Sequence, residues 1–442
     1  MNNKVAKNAI WIIAGHVAQM LIGFAISMIS ARYLGPSNFG LINYASSLVA
    51  FVVPIMYLGI NNILVREFVV NPDEEGKILG TSMVLNFLSA ILCIVGITSF
   101  TSIVNRGEQE AILVCFLYSL LLIFQSISII NYWFQAKLLS KYTSLITLIA
   151  YLAMSGYKIY LLATGKSVFW FAVSQSFDYV VATVGSLLVY KKLGGQKLCF
   201  SFETAKRLFN GGRYYIISGM MITVFAQTDK IMIKLMIDEA HVGYYAAAVT
   251  CATLTSFFFS AIIDSMRPVI LEAKSKSQAD FGRHMSQLYT IIIYISLLQS
   301  AFMTLFAPYI INIIYGAAYA PAAQALRIVV WYTTFSYLGC ARDIWILAEQ
   351  RQEELWKIYM SGALANVFLN FLLIPKMGIN GAALASLITQ FFTNVGMGYI
   401  IPTLRPNNPL LMKGFSGKEL VPVIQFFRKK VQLKINSTKK GE

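Results

Sequence analysis

Charge is scarce in this 442-residue chain: Asp, Glu, Lys and Arg make up 13% of it, against about 25% in an ordinary soluble domain. So few charges cannot clothe a soluble globule of 49.3 kDa in polar surface. Histidine is rarer still, at three residues, His16, His241 and His284, spread along the chain. That removes an H-E-x-x-H zinc site and any arguable Ser/His/Asp set. Five cysteines, Cys93, Cys115, Cys199, Cys251 and Cys340, form no C-x-x-C pair, and most sit in apolar stretches as small hydrophobes. Neither a metal site nor a disulfide framework is expected, and no cofactor. A phosphate-binding loop is missing too: Gly165-Lys166-Ser167 imitates its end, but Tyr160 stands where the first glycine belongs. Long polar loops with clustered carboxylates, which a membrane glycosyltransferase or polymerase would carry, are absent. An enzyme is not expected.

What fills the chain is apolar: 57% hydrophobic residues and a mean hydropathy of +0.63. A bilayer core of about 30 Å takes about 20 such residues as a helix. Twelve segments qualify: 9–31, 40–63, 79–103, 110–133, 143–163, 167–190, 213–236, 243–265, 287–314, 325–347, 356–375 and 379–402. They are long, continuous and rich in Leu and Ile, unlike the short alternating strands of a barrel. The first, behind Lys4 and Lys7, is too long for a signal-peptide core and reads as an uncleaved helix. The expected fold is an all-α integral membrane protein.

The formal charge of +16 then finds its place. In a soluble chain it would suggest nucleic acid. With the N-terminus inside, the outside connections hold only Arg32, Arg106, Lys166 and Lys376, while most of the 36 Lys and Arg lie in inside segments. A positive-inside bias of this size puts both termini in the cytoplasm and leaves nucleic acid without a case. The tail, 403–442, sets Leu420, Val421, Val423, Ile424, Phe427 and Val431 beside Arg428, Lys429 and Lys430. A basic amphipathic helix on anionic lipid and a partly disordered tail are both open readings.

The chain also repeats itself. Gly40 pairs with Gly243 and Ala45 with Ala248, 203 residues on; Trp133 pairs with Trp345 and Ala136 with Ala348, 212 residues on. This divides the chain into a six-helix lobe (1–190), a basic cytoplasmic connection (191–212), a second six-helix lobe (213–402) and the tail. An even number of helices per half gives both halves one orientation, related by an axis along the membrane normal, a transporter architecture with its site between the halves.

An ionisable residue inside a span is a functional candidate, because burying it costs several kcal/mol unless it is paired or wet. The candidates are His16, Lys158, Asp178, Asp229, Lys230 and Lys234. Lys230 and Lys234 share one helix face beside Asp229 and point to a water-filled cationic cavity that attracts a phosphate or other anionic headgroup. Lys158 and Asp178, on successive helices, suit a structural pair as well as a site, and His16 suits a core histidine as well as a ligand. Asp264 with Arg267, and Arg342 with Asp343, lie near cytoplasmic ends, where ion pairing and snorkelling account for them. Asn366 and Asn370 form a stripe that glues helices as readily as it binds a substrate.

Four patches, in order, resemble one family. They are Leu34-Gly35-Pro36-Ser37-Asn38-Phe39-Gly40; Thr228-Asp229-Lys230-Ile231-Met232-Ile233; Val242-Gly243-Tyr244-Tyr245-Ala246-Ala247-Ala248; and Asn366 to Asn370 with Leu373-Ile374-Pro375 and Gly378-Ile379-Asn380-Gly381-Ala382-Ala383. Over about residues 5 to 402 the chain is similar to bacterial flippases of O-antigen and capsule repeat units, in the multidrug/oligosaccharidyl-lipid/polysaccharide exporter superfamily. The resemblance implies two six-helix lobes in a V, opening alternately to either side of the bacterial cytoplasmic membrane. It implies a cationic cavity for the pyrophosphate and glycan of an undecaprenyl-linked oligosaccharide, with the lipid tail towards the bilayer. Lys158, Lys230 and Lys234 would then meet the headgroup, and Arg32 and Arg66 would guide it at either mouth. Membrane lipid, a polysaccharide polymerase and glycosyltransferases are the implied partners.

Two relatives of that function compete with it. An ion-coupled multidrug exporter needs membrane carboxylates in the first half, where Asp178 is the only one within a span. A lipid II-type flippase often has fourteen helices rather than twelve. A non-transporting scaffold would leave the repeat and the buried charges unexplained.

Overall fold

The computed structural model describes residues 3–417, with side chains from residue 22 onward; the side chain of His16 and the apolar and basic residues at 420–431 lie outside the described residues. Among those described, the chain is helical throughout and forms no strand. The first half runs α1 (Asn3–Met56), α2 (Leu64–Val70), α3 (Glu75–Val104), α4 (Gln109–Ser119), α5 (Leu121–Ile127), α6 (Asn131–Ala136), α7 (Ser140–Ala163) and α8 (Val168–Lys192). Then come α9 (Phe202–Met236), α10 (Glu239–Thr253), α11 (Ser256–Lys276), α12 (Gln278–Tyr315), α13 (Ala322–Ala348), α14 (Leu355–Met377), α15 (Ile379–Phe391), α16 (Met397–Ile400) and α17 (Asn408–Phe415).

At about 1.5 Å per residue, α1 would run some 80 Å, far more than a bilayer is thick. It is two helices meeting at Gly35, whose φ of 71° and ψ of 173° are not helical. Pro36 follows; it has no N–H to donate and steers the preceding residue out of the helical region. Among the described residues, eight helices are long and apolar enough to cross a membrane, or ten if two bent pairs each count as one span: Glu239–Thr253 with Ser256–Lys276, bent by 41°, and Ile379–Ile400 with Pro402–Phe415, bent by 103°. The remaining two of the twelve expected segments are also helical. One is the part of α1 before Gly35; the other is α13, whose apolar middle is bracketed by Arg327 and by Arg342-Asp343. The chain is a multi-pass membrane protein.

Two compact units are present. Among the described residues, one runs to Tyr244 and takes in Ile314–Ala318; the other is Tyr245–Ile313 with the described chain from Tyr319 on. By packing, α9 therefore groups with the helices before it. The first unit has a core at one end of its helices, where Trp133 meets Tyr190 edge-on at 4.8 Å among Leu64, Phe68, Leu79 and Leu208. The second packs Trp345 with Leu338, Ile292 and Phe259, whose ring stacks on Tyr337 at 4.0 Å.

The internal repeat is written into the turns. Leu138 and Gln350, 212 residues apart, are both non-glycine residues in the left-handed region, with φ of 56° and 55°. Each closes a helix in the same way: Leu139 N–H reaches Phe134 O and Leu138 N–H reaches Gln135 O, while Arg351 N–H reaches Ile346 O and Gln350 N–H reaches Leu347 O. This is a Schellman closure made twice. Gly107 and Gly316, after α3 and α12, have φ of 91° and 88°, and Gly165 and Gly378, after α7 and α14, have 66° and 59°. Residues just before these left-handed positions also correspond, but with the charges exchanged. Lys137 pairs with buried Glu75, which accepts the Trp133 Nε1–H at 2.7 Å; Glu349 pairs with Lys274.

Candidate functional site

Helical spacing assembles a cavity in the first unit. On α7, Tyr151, Met154 and Lys158 recur at intervals of three and four and share a face. Gln175, Asp178 and Tyr179 do so on α8, and Ser46, Val49, Ala50 and Val53 on α1. With Tyr118, Leu121 and Gln125 from α4 and α5 they line a cavity of about 360 Å³. Glycine sets the spacing here. A Cβ on Gly23 of α1 would lie 2.2 Å from the Tyr151 hydroxyl, and one on Gly185 of α8 would lie 2.9 Å from Ile146 of α7.

Lys158 and Asp178, paired on sequence grounds, thus face one cavity. They do not form an ion pair within 4 Å, and Asp178 Oδ1 is buried with no hydrogen-bond partner among the described residues. The cavity keeps two opposite charges near each other but not spent on each other. Such a site can hold water and polar cargo at a depth where the surrounding helices offer neither.

Lys234 is differently placed. Its side chain is 2% exposed, and its Nζ donates to Glu108 Oε2 at 2.7 Å and to Glu239 Oε2 at 2.9 Å. Glu108 also accepts from Asn105 Nδ2, Asn105 Oδ1 accepts from the Tyr44 hydroxyl, and Glu239 Oε1 accepts from Ser37. The network ties α9 and α10 to the ends of α3 and of the helix after Gly35. Beside it the backbones nearly touch. A Cβ on Gly40 would sit 1.7 Å from Glu239 O, and one on Gly243 2.1 Å from Pro36 O. The two glycines paired by the repeat thus pack each against the other's turn. Sequence reading set Lys234 beside Lys230 and Asp229 and did not find Glu108; a carboxylate 126 residues away leaves no local signal.

The other candidates are dispersed. Lys230 is half-buried on α9 and makes no ion pair among the described residues, while its neighbour Asp229 is buried and engaged. Arg32 is exposed and donates from Nε to Ile314 O at 2.9 Å; Arg66 is exposed on α2. A second, apolar cavity of about 330 Å³ lies between α1, α3 and α9, lined by Phe51, Phe100, Ile231 and Met232 among others, with Thr228 satisfied by Val224 O. Of the remaining polar sites, Arg342 donates to Thr393 O at 2.7 Å and lies 3.6 Å from Asp343; Asn370 donates to Asn366 O and Oδ1 at 3.0 Å. No group of three His, Cys, Asp or Glu among the described residues is arranged to hold a metal ion.

Comparison with known proteins gives this geometry a setting. The polysaccharide biosynthesis protein family matches residues 5–274. The probable low-salt glycan biosynthesis flippase Agl15 of Haloferax volcanii is 21% identical over 81% of this chain and 75% of its own length. The uncharacterized membrane protein MJ1068 of Methanocaldococcus jannaschii is 28% identical over 57% of this chain, which spans about half of that protein, 51%. In fold, the chain is similar to the lipid II flippase MurJ in an inward closed conformation, with a TM-score of 0.70 over 95% of this chain and 93% of that one at 13% identity. The resemblance read from the four sequence patches therefore holds over most of the chain's length: the chain belongs to the polysaccharide biosynthesis protein family.

Proposed function

We propose that this protein is a flippase. It carries undecaprenyl-pyrophosphate-linked oligosaccharide repeat units from the inner to the outer leaflet of the bacterial cytoplasmic membrane by alternating access, for O-antigen, capsule or exopolysaccharide synthesis. The observation that carries the reading is a cavity holding Lys158 and Asp178 among apolar helices, in a chain of the polysaccharide biosynthesis family. Ionisable groups at such depth mark the path of polar cargo. The glycan flippase of Haloferax volcanii, similar over most of this chain, supports the same reading.

In this mechanism the chain does no covalent chemistry. Lys230, half-buried without an ion pair, is the cation on α9 that meets the phosphates, and exposed Arg32 and Arg66 draw them in. Lys158 and Asp178 receive the polar part of the cargo, while Lys234 holds the framework through its two carboxylates. Both termini face the cytoplasm, where glycosyltransferases supply the cargo; a polymerase receives it outside. Deleting the gene tests this. Surface polysaccharide should be lost and lipid-linked repeat units should accumulate on the inner leaflet. Unchanged polysaccharide with altered sensitivity to cationic drugs would make the chain a multidrug exporter instead.

A further inference from the structure

The 360 Å³ cavity has a composition that a diphosphate or a lipid tail does not explain. A diphosphate seeks several convergent donors and net positive charge. Here one lysine faces one aspartate, and an incoming anion would meet Asp178. A lipid tail would strand Lys158, Asp178 and two glutamines in hydrocarbon, which is costly. The lining also includes two aromatic residues, Tyr151 and Tyr179, with Lys158 and Gln175 as donors and Asp178 and Gln125 as acceptors. Asp178 and Gln125 both line the space, and Asp178 Oδ1 and Gln125 Oε1 are buried without a hydrogen-bond partner among the described residues, a cost that an O–H donor brought to them would relieve. The volume lies at the small end of ligand sites, near one ring rather than a chain of them.

We propose that this cavity is a subsite for one neutral pyranose ring of the transported glycan. The ring's C–H face lies against a tyrosine ring and its hydroxyls donate to Asp178 and Gln125 and accept from Lys158 and Gln175. Between cargoes, water serves the same groups. This assignment rests on the reading of the chain as a flippase of lipid-linked glycans and names which part of the cargo the cavity takes. It also explains why Lys158 and Asp178 are not locked in an ion pair: each keeps hydrogen-bonding capacity for a hydroxyl.

Saturation-transfer NMR on the full-length protein in nanodiscs tests it, with free methyl glycosides of glucose, galactose and N-acetylglucosamine as probes, and two proton-bearing anions, glucuronate and methyl phosphate, beside them. At least one neutral glycoside should receive saturation, strongest at its ring C–H protons, and the two anions should receive little. Gln175→Leu should weaken that binding about tenfold, and Asp178→Asn several-fold, with both variants eluting as the parent does in gel filtration. Two results would overturn the subsite: no neutral glycoside binding at tens of millimolar, or glucuronate binding better than any of them. Binding unaltered in both variants would place the sugar elsewhere and overturn it equally. The deletion phenotype decides the flippase reading separately, so polysaccharide export without glycoside binding removes the subsite and leaves the flippase standing.

Discussion

Lys234 Nζ donates to Glu108 Oε2 at 2.7 Å, joining residues 126 apart in the chain, and to Glu239 at 2.9 Å. The lysine is buried at 2% exposure while Glu108 is half exposed. Replacing it removes two charge-assisted bonds, each worth about 1.5–3 kcal/mol, although solvent at the two carboxylates recovers part of that. Lys234→Ala should therefore lower the thermal unfolding midpoint in detergent. Lys230→Ala, without an ion pair to lose, should leave the midpoint in place and impair polysaccharide export at normal expression. Full export by the Lys230 variant would remove that residue from the cargo path.

Two glycines separate backbone strain from steric contact. Gly35 sits at φ 71° and ψ 173°, where only glycine is comfortable, but a Cβ there would meet nothing within 4 Å. Gly35→Ala should cost about 1–3 kcal/mol from the backbone alone and still yield folded protein. Gly40→Ala drives a methyl group against the Glu239 carbonyl, and that carbonyl has no room to yield because Pro36 and Gly243 face each other beside it. It should sharply reduce the yield of monodisperse protein. Equal yields from the two variants would argue against the close packing of these turns.

Leu138 carries a left-handed backbone on a side chain that is 76% exposed. Glycine there relieves the strain and loses little packing, so Leu138→Gly should raise stability by up to about 1 kcal/mol. A lowered midpoint in a thermal melt would mean that the side chain contributes more than its exposure suggests.

The Tyr151 hydroxyl occupies the space above Gly23. Gly23→Ala must displace the Tyr151 side chain, which lines the cavity, and so changes the cavity's shape without removing any charge. Export should fall while the unfolding midpoint changes little, a split measured by a surface-polysaccharide assay beside a melt.

Orientation can be read from cysteine. Cys199 is exposed in the basic connection, and Cys340 is the other exposed cysteine; Cys93, Cys115 and Cys251 are buried. In a Cys340→Ala background, a membrane-impermeant maleimide should label inverted vesicles and spare intact spheroplasts. Labelling of spheroplasts would reverse the proposed topology.

Long apolar runs made the helices legible, because twenty successive residues leave little choice of structure in a bilayer. The pairing of Trp133 with Trp345 was legible for a related reason: equal turns keep equal residues, and the left-handed backbones at Leu138 and Gln350 follow at the same offset. Lys158 and Asp178 could be proposed as partners because they lie on successive helices. Their shared cavity could not, since five separate helices build it and only packing decides which faces meet. Glu108 was invisible as the partner of Lys234 for the same reason. A long-range ion pair has no period and no spacing, and a half-exposed glutamate in a turn looks like any other solvated charge.

Lys137 and Glu349 occupy matching places, yet one answers Glu75 and the other Lys274. The two matching turns thus each carry an ion pair, with opposite polarity. Grafting the turn of either copy into the other would set acid against acid or base against base. The duplicated parts are no longer spare parts for each other. With both turns present in a single chain, the reversed signs favour each turn's closing on its own partner, Glu75 or Lys274, over its counterpart's.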